Sequence, residues 1–371
     1  MKPIRLFFCS LLVLAAFQPA AWSGPLPRRA NIVLIVADGL GAGDLSCYGQ
    51  TQFQTPHLDA LAAQGIRFTN YLAGGLADSA ALASLVLGQD TSRLPGMDFS
   101  LAPNDITIAQ LLKNSGYYTC LLGQWSLTGP NAAGAPWEHG FDEFAGYLDP
   151  ADAQNPYPDY VWRYYQRFDP AANKMDTVNI HETVYGNTGD QRRQYLPDLL
   201  TQWAGKDVKN NQPDMFNDYK PFFLMVDYPL PGNGYRRVPS DAPFSEESWP
   251  QPEKNRAALI ARLDDCIGQL IEQLNKYGQA SNTVIFFTSA TIPQKDGGVD
   301  PGFFHENTSS NDFHVPLIVY WPGKIPAGRV SGLECSARDF LPTAAALADL
   351  KPPKGIDGKS FASALFGHAQ K

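Results

Sequence analysis

Asn31-Ile-Val-Leu-Ile-Val-Ala-Asp38-Gly-Leu-Gly41 is the stretch on which the fold turns. Its first seven residues carry no charge and are mostly aliphatic. A strand with one wet face would alternate polar and apolar residues, so this run reads as a strand covered on both sides. Strands of that kind belong to parallel sheets flanked by helices. The run ends on a carboxylate and a Gly turn.

Further runs of the same character lie at 118–122, 222–226, 283–288 and 316–320, each short, continuous and rich in β-branched or aromatic residues. Helical spacing appears between them, at 57–64, 79–87, 106–114, 197–203, 256–277 and 337–349. In the longest, Leu259, Leu263, Ile267, Leu270 and Leu274 recur on one face while Asp264 and Glu272 are expected to face water. Strands alternating with helices predict an α/β fold, a mainly parallel central sheet with helices on both faces. The stretch 149–193 has the weakest pattern. Its cluster of Tyr157, Tyr160, Trp162, Tyr164, Tyr165 and Phe168 suits either cover for the sheet edge or stacking on sugar rings.

The chain has 371 residues, of which 44% are hydrophobic, and a formal net charge of −8. That is enough apolar surface for a large core, and there is no basic field to hold nucleic acid. Residues 1–23 combine Lys2 and Arg5, an apolar run over 6–17 and Ala21-Trp-Ser23 as a small-x-small cleavage site. The pattern predicts a secretory signal peptide, too short to span a bilayer, and an exported, periplasmic or secreted protein with no membrane span after cleavage. Export permits disulfides, yet Cys47, Cys120, Cys266 and Cys335 fit no metal or redox spacing, and no pairing can be read from them.

Several longer motifs follow the first strand in order. They include Thr55-Pro-His-Leu-Asp-Ala-Leu-Ala-Ala-Gln-Gly65, Phe68-Thr-Asn-Tyr71, Gly140-Phe-Asp-Glu-Phe-Ala-Gly146, Lys220-Pro-Phe-Phe-Leu224 and Val315-Pro-Leu-Ile-Val-Tyr-Trp-Pro-Gly323. In this order and spacing the chain resembles the sulfatase family of the alkaline-phosphatase-like superfamily, over about residues 30–355. The resemblance implies an alkaline-phosphatase-like sandwich with a small C-terminal extension, and one sulfatase-like domain over 24–371.

It also implies a chemistry. Sulfatases convert a signature Cys to formylglycine, whose hydrate attacks sulfur, and a divalent cation, usually calcium, holds the hydrate and the sulfate. A hard cation needs several oxygen ligands and a bound oxyanion needs positive donors. Counting back from Gly88 puts Asp78 at the Cys, Ala80 at the Pro and Leu82 at the Arg of the signature Cys-x-Pro-Ser-Arg. Asp38 matches the first metal ligand, but Gly39 replaces the second; Ala290 and Thr291 stand where Asp and Asn or His belong. Gln124 replaces a Lys and Ser126 a His, the segment from Pro229 to Gly232 lacks the usual His, and His305 falls near a second catalytic Lys.

One retained ligand of four leaves a calcium site short of charge, since the ion takes roughly six to eight oxygens. Asp38 is therefore read first as bonding the amides of its own turn, and second as a residual metal ligand. Asp78 is read as a cap for the apolar helix that follows, and Ser79 as a substitute nucleophile without a base. The expectation is a sulfatase-like protein without catalysis, with no cofactor, acting as a binding or structural protein for a glycan or small molecule. The alternative is a sulfuric or phosphoric ester hydrolase with a site rebuilt from Asp38, Asp78, Ser79 and His305.

Overall fold

A computed structural model describes residues 29–75, 78–93, 99–127, 134–213, 219–229, 243–292, 303 and 314–367. The segment 1–23 and His305 lie outside them.

The strands are β1 (Asn31–Ala37), β2 (Ile66–Phe68), β3 (Tyr71–Leu72), β4 (Tyr118–Gln124), β5 (Glu143–Tyr147) and β6 (Tyr160–Asp169). They continue with β7 (Lys174–Thr183), β8 (Phe222–Tyr228), β9 (Thr283–Thr288), β10 (Leu317–Tyr320), β11 (Arg329–Ser331) and β12 (Cys335–Ser336). Ten of these form one sheet in the order β11-β2-β10-β9-β1-β8-β4-β5-β6-β7, while β12 and β3 form a separate pair. The central five, β9-β1-β8-β4-β5, are parallel. Antiparallel strands close both flanks, β10 beside β9 and β6 beside β5. All seven residues of β1 are buried, as its uninterrupted apolar run requires.

Alternate side chains of β1 point to two separate cores. Ile32, Leu34 and Val36 enter the one covered by α2 (Asp78–Leu87), α3 (Ile108–Lys113), α7 (Phe340–Leu347) and the short α8 (Ala362–Leu365). Val33, Ile35 and Ala37 enter the other, under α1 (Pro56–Gln64), α5 (Leu196–Asn210) and α6 (Gln251–Lys276). The period of two in a strand divides the cores, and helices with a continuous apolar face fill each. Phe361, in the short C-terminal extension, packs edge-on against Phe68 and Phe286.

Two expectations are corrected. The weakly patterned stretch 149–193 holds a one-turn helix, α4 (Pro150–Ala153), and then the β6–β7 hairpin, which extends the sheet by two ten-residue strands. Trp162 and Tyr164 there pack against the core, and Tyr164 stacks on Trp137 at 4.8 Å. Asp264 does not face water. It is buried on α6, and its carboxylate accepts the amides of His57 (3.0 Å) and Leu58 (2.8 Å), capping α1 from a distant helix. The four cysteines are free thiols.

Candidate functional site

Three parallel strands bring their carboxyl ends together. β1 ends one residue before Asp38, β4 ends on Gln124, and β8 carries Asp227 as its next-to-last residue. In register Asp227 lies beside Val36 on one side and Gly123 on the other. Gly123 has φ +118, and a Cβ there would sit 1.8 Å from the carbonyl oxygen of Asp227. Only glycine lets β4 approach β8 this closely at this point.

The result is a cluster of acids in which Asp227 is buried and Asp38 and Asp78 are half-buried. The Asp38 and Asp227 carboxyl groups hydrogen-bond each other, and each keeps its Oδ1 sealed from solvent and without a partner. Asp78 lies close enough for its charge to act on both, and it is hydrogen-bonded by Gln124. Burial, then the Asp78 charge, pushes Asp38 well above the usual carboxylate range, against the hydrogen bond from Asp227. Burial raises Asp227 in the same way, followed by the charges of Asp38 and Asp78. Asp78 is raised by burial and held back by Gln124. Among the described residues no Lys, Arg or His relieves any of the three. With no cation among the described residues to offset it, burial favours the protonated form of this pair.

Asp38 does not bond the amides of its own turn. Those amides are taken by other side chains: Gly39 donates to Thr291 Oγ1 (3.1 Å), Leu40 to Ser289 Oγ (3.3 Å) and Gly41 to Asp44 (2.8 Å). Asp44 is in turn fixed by Arg256 in a buried ion pair at 2.5 Å. Ser289 and Thr291 thus tie the turn after β1 to the turn after β9. The pair of turns that the family resemblance assigns to metal ligands is joined here by neutral hydrogen bonds.

Asp78 is the first residue of α2, whose start was expected one residue later, at Ser79. An acid in the first turn still faces the positive end of the helix. Its carboxylate meets Gln124, not a lysine. Ser79 is buried beside it. The structure therefore gathers Asp38, Asp78 and Gln124, which the sequence singled out, and adds Asp227, which it did not. The only sequence signal for Asp227 is one charge in the otherwise apolar strand Phe222-Phe-Leu-Met-Val-Asp227-Tyr.

A second cluster lies toward the other end of β4, between it, the start of β5 and α5. The donor atoms of Cys120, Glu143 and Asp207 all fall within 4.8 Å of one another, the arrangement among the described residues best able to surround a metal ion. They are already satisfied by one another and by their neighbours. Cys120 Sγ donates to Asp207 Oδ2 (2.9 Å), Tyr118 donates to Glu143 Oε2 (2.7 Å), and the Arg163 guanidinium reaches Glu143 Oε1 (3.2 Å). Burial, then the Glu143 charge, raises Asp207 to about 7, so it keeps its proton in mildly acid solution. Arg163 supplies the positive charge that a metal would bring.

Comparison with known proteins agrees with this architecture. The Sulfatase family model matches residues 30–350. The chain is 30% identical to N-acetylgalactosamine-6-sulfatase of Canis lupus familiaris, over 96% of this chain and 69% of that protein. It is 28% identical to the steryl-sulfatase of Rattus norvegicus, over 95% of this chain and 73% of the other. Among solved structures, Ps i-CgsB in complex with k-i-k-neocarrahexaose superposes with a TM-score of 0.73 at 26% identity, covering 92% of this chain and 77% of that one. A match along nearly the whole sheet, in sequence and in topology, means that this chain belongs to the sulfatase family.

Proposed function

We propose that this chain is a non-catalytic member of the sulfatase family, exported after removal of a signal peptide over 1–23. Its single domain, 24–371, would use the pocket at the ends of β1, β4 and β8 for binding or architecture, not for ester hydrolysis. The observation that carries this reading is the acid cluster of Asp38, Asp78 and Asp227, with no cationic side chain among the described residues to relieve it. An aspartate cannot be oxidised to the aldehyde that the family's reaction requires. A sulfate ester brought to this pocket would meet carboxyl groups where its oxygens need positive donors. An uncharged ligand suits such a pocket better. The crystallised neocarrahexaose of Ps i-CgsB and the amino-sugar sulfate in the name of the canine relative support a glycan.

One observation favours a second reading, a sulfuric or phosphoric ester hydrolase. The orphaned oxygens of Asp38 and Asp227 face no hydrogen-bond donor, and with Asp78 they offer a hard cation three carboxylates. The fit to calcium is partial, because the ion takes roughly six to eight oxygens and water would have to supply the remainder. In that reading Asp38 is a metal ligand, and Asp78, Ser79 and His305 are the candidates for catalysis.

Calorimetric titration of the purified protein with calcium, run beside a panel of aryl sulfate and phosphate esters, separates the two. The non-catalytic reading expects no saturable heat and no product. Saturable calcium binding together with ester turnover would establish the hydrolase instead.

A further inference from the structure

The β6–β7 hairpin ends the ten-stranded sheet, and β7 pairs with β6 alone among the described residues. At ten residues it is about twice the usual strand length. Seven large apolar side chains are exposed among the described residues, and five of them, Tyr160, Phe168, Met175, Ile180 and Tyr185, lie on this hairpin or just after it. Phe168 and Met175 are direct cross-strand neighbours, 55% and 56% exposed. A long edge, unpaired among the described residues and carrying most of their exposed apolar bulk, is what soluble proteins ordinarily cover or interrupt.

We propose that β7 is a homodimer interface, on which a second copy of this chain pairs its own β7 antiparallel across a two-fold axis at Val178. Charge selects both the occupant and the register. A two-fold perpendicular to the sheet keeps each residue on its own face, so even-numbered positions oppose even-numbered ones, and the axis must pass through a residue. Three registers keep the exposed Met175 inside a paired stretch of about seven residues or more, through Thr177, Val178 or Asn179.

With the axis at Asn179, Asp176 faces the partner's Glu182, a like-charge contact made twice by symmetry. An axis at Thr177 sets Lys174 against the partner's Ile180 and shortens the paired stretch by two residues. Centred on Val178, the pairing runs from 174 to 182 and puts Lys174 opposite the partner's Glu182, again twice. Lys174 is opposite Asp169 on β6 and already ion-paired with Asp176 (3.2 Å), and Glu182 with Arg163 (3.1 Å), so the contact across the axis would add to pairs made within each chain. On the other face, Met175 would lie between Phe168 and the partner's His181, which its own chain packs against Trp162. The register that satisfies the charges is the one that covers the exposed methionine.

Single-cysteine variants read the register directly. T177C, V178C and N179C each place a thiol on the axis of one of the three pairings, and the wild-type cysteines provide the background. Wild type is expected to be dimeric by native mass spectrometry at micromolar concentration, and V178C to form a disulfide-linked dimer well ahead of T177C and N179C. Lys174→Glu breaks the exposed ion pair with Asp176 (3.2 Å), which contributes little to stability, and should weaken the dimer about tenfold, since two attractive pairs become repulsive. A monomeric wild type overturns the proposal, and so does a crosslink that forms preferentially at 177 or 179.

Discussion

β4 has an acid cluster at each end, and the two are treated in opposite ways. At its amino end Cys120, Glu143 and Asp207 are bonded by a thiol, a phenol and a guanidinium; Arg163 also rests over the rings of Tyr165 (5.6 Å) and Trp203 (5.3 Å), although its own Nη1 is buried without a hydrogen-bond partner. At its carboxyl end Asp38 and Asp227 have each other, Asp78 has Gln124, and two oxygens have nothing. Burying a carboxyl group without compensation costs a folded protein several kcal/mol, so the first arrangement is what stability alone produces. The second lies where the carboxyl ends of parallel strands converge, the place at which such sheets gather ligands, and among the described residues no cation balances it.

This contrast can be broken from either side. The largest effect is expected where the strands touch. Gly123→Ala drives a methyl group into the Asp227 carbonyl and forces a residue with a side chain to φ +118. A loss of about 4 kcal/mol or more is expected, seen in urea denaturation or as failure to recover soluble protein. Next comes Arg163→Ala, which strips the amino-end cluster of its cation and leaves Glu143 poorly compensated. Discounted for its partial exposure, the loss should be about 2–3 kcal/mol.

Asp207 makes a pH test of the same cluster. Its folded-state value, about 7, lies above the ordinary 3.8, so the folded protein binds the proton more tightly than the unfolded chain. The stability this contributes is complete below about pH 4 and is lost as pH rises through 7. Asp207→Asn should therefore flatten the fall in thermal midpoint between mildly acid and mildly alkaline solution. An unchanged slope would remove Asp207 as its source. The smallest effect belongs to the carboxyl-end pocket. Asp227→Asn removes an orphaned charge without altering shape, and stability should change by no more than about 1 kcal/mol, with the sign toward stabilisation. A large loss there would mean that Asp227 is structurally satisfied, like its counterparts at the other end.

Much of the fold was legible because buried parallel strands announce themselves. The uninterrupted runs that became β1, β4, β8 and β9 were found to within two residues at each end. The hairpin was not, since β6 and β7 are mixtures of aromatic, charged and polar residues at a sheet edge, where neither face is consistently apolar. Asp264 was misplaced for a related reason. Helical periodicity assigns it to the wet face of α6, and nothing local shows that another helix presents two open amides to it. At the strand ends, the departures of Gly39, Gln124, Ser126 and Thr291 from the family pattern followed from the resemblance. The contacts made in their place did not. That Thr291 and Ser289 bond the turn after β1, and that Asp227 reaches Asp38, depends on strand register between segments far apart in the chain.

The proposed reading is that the acid cluster at the ends of β1, β4 and β8 does not cleave a sulfate ester. The most direct measurement is the rate of inorganic sulfate release from an aryl sulfate by the purified protein with calcium present, compared with Asp38→Ala. No release above background, equal for both proteins, is the predicted result. Catalytic release by the wild type that disappears in Asp38→Ala would contradict it.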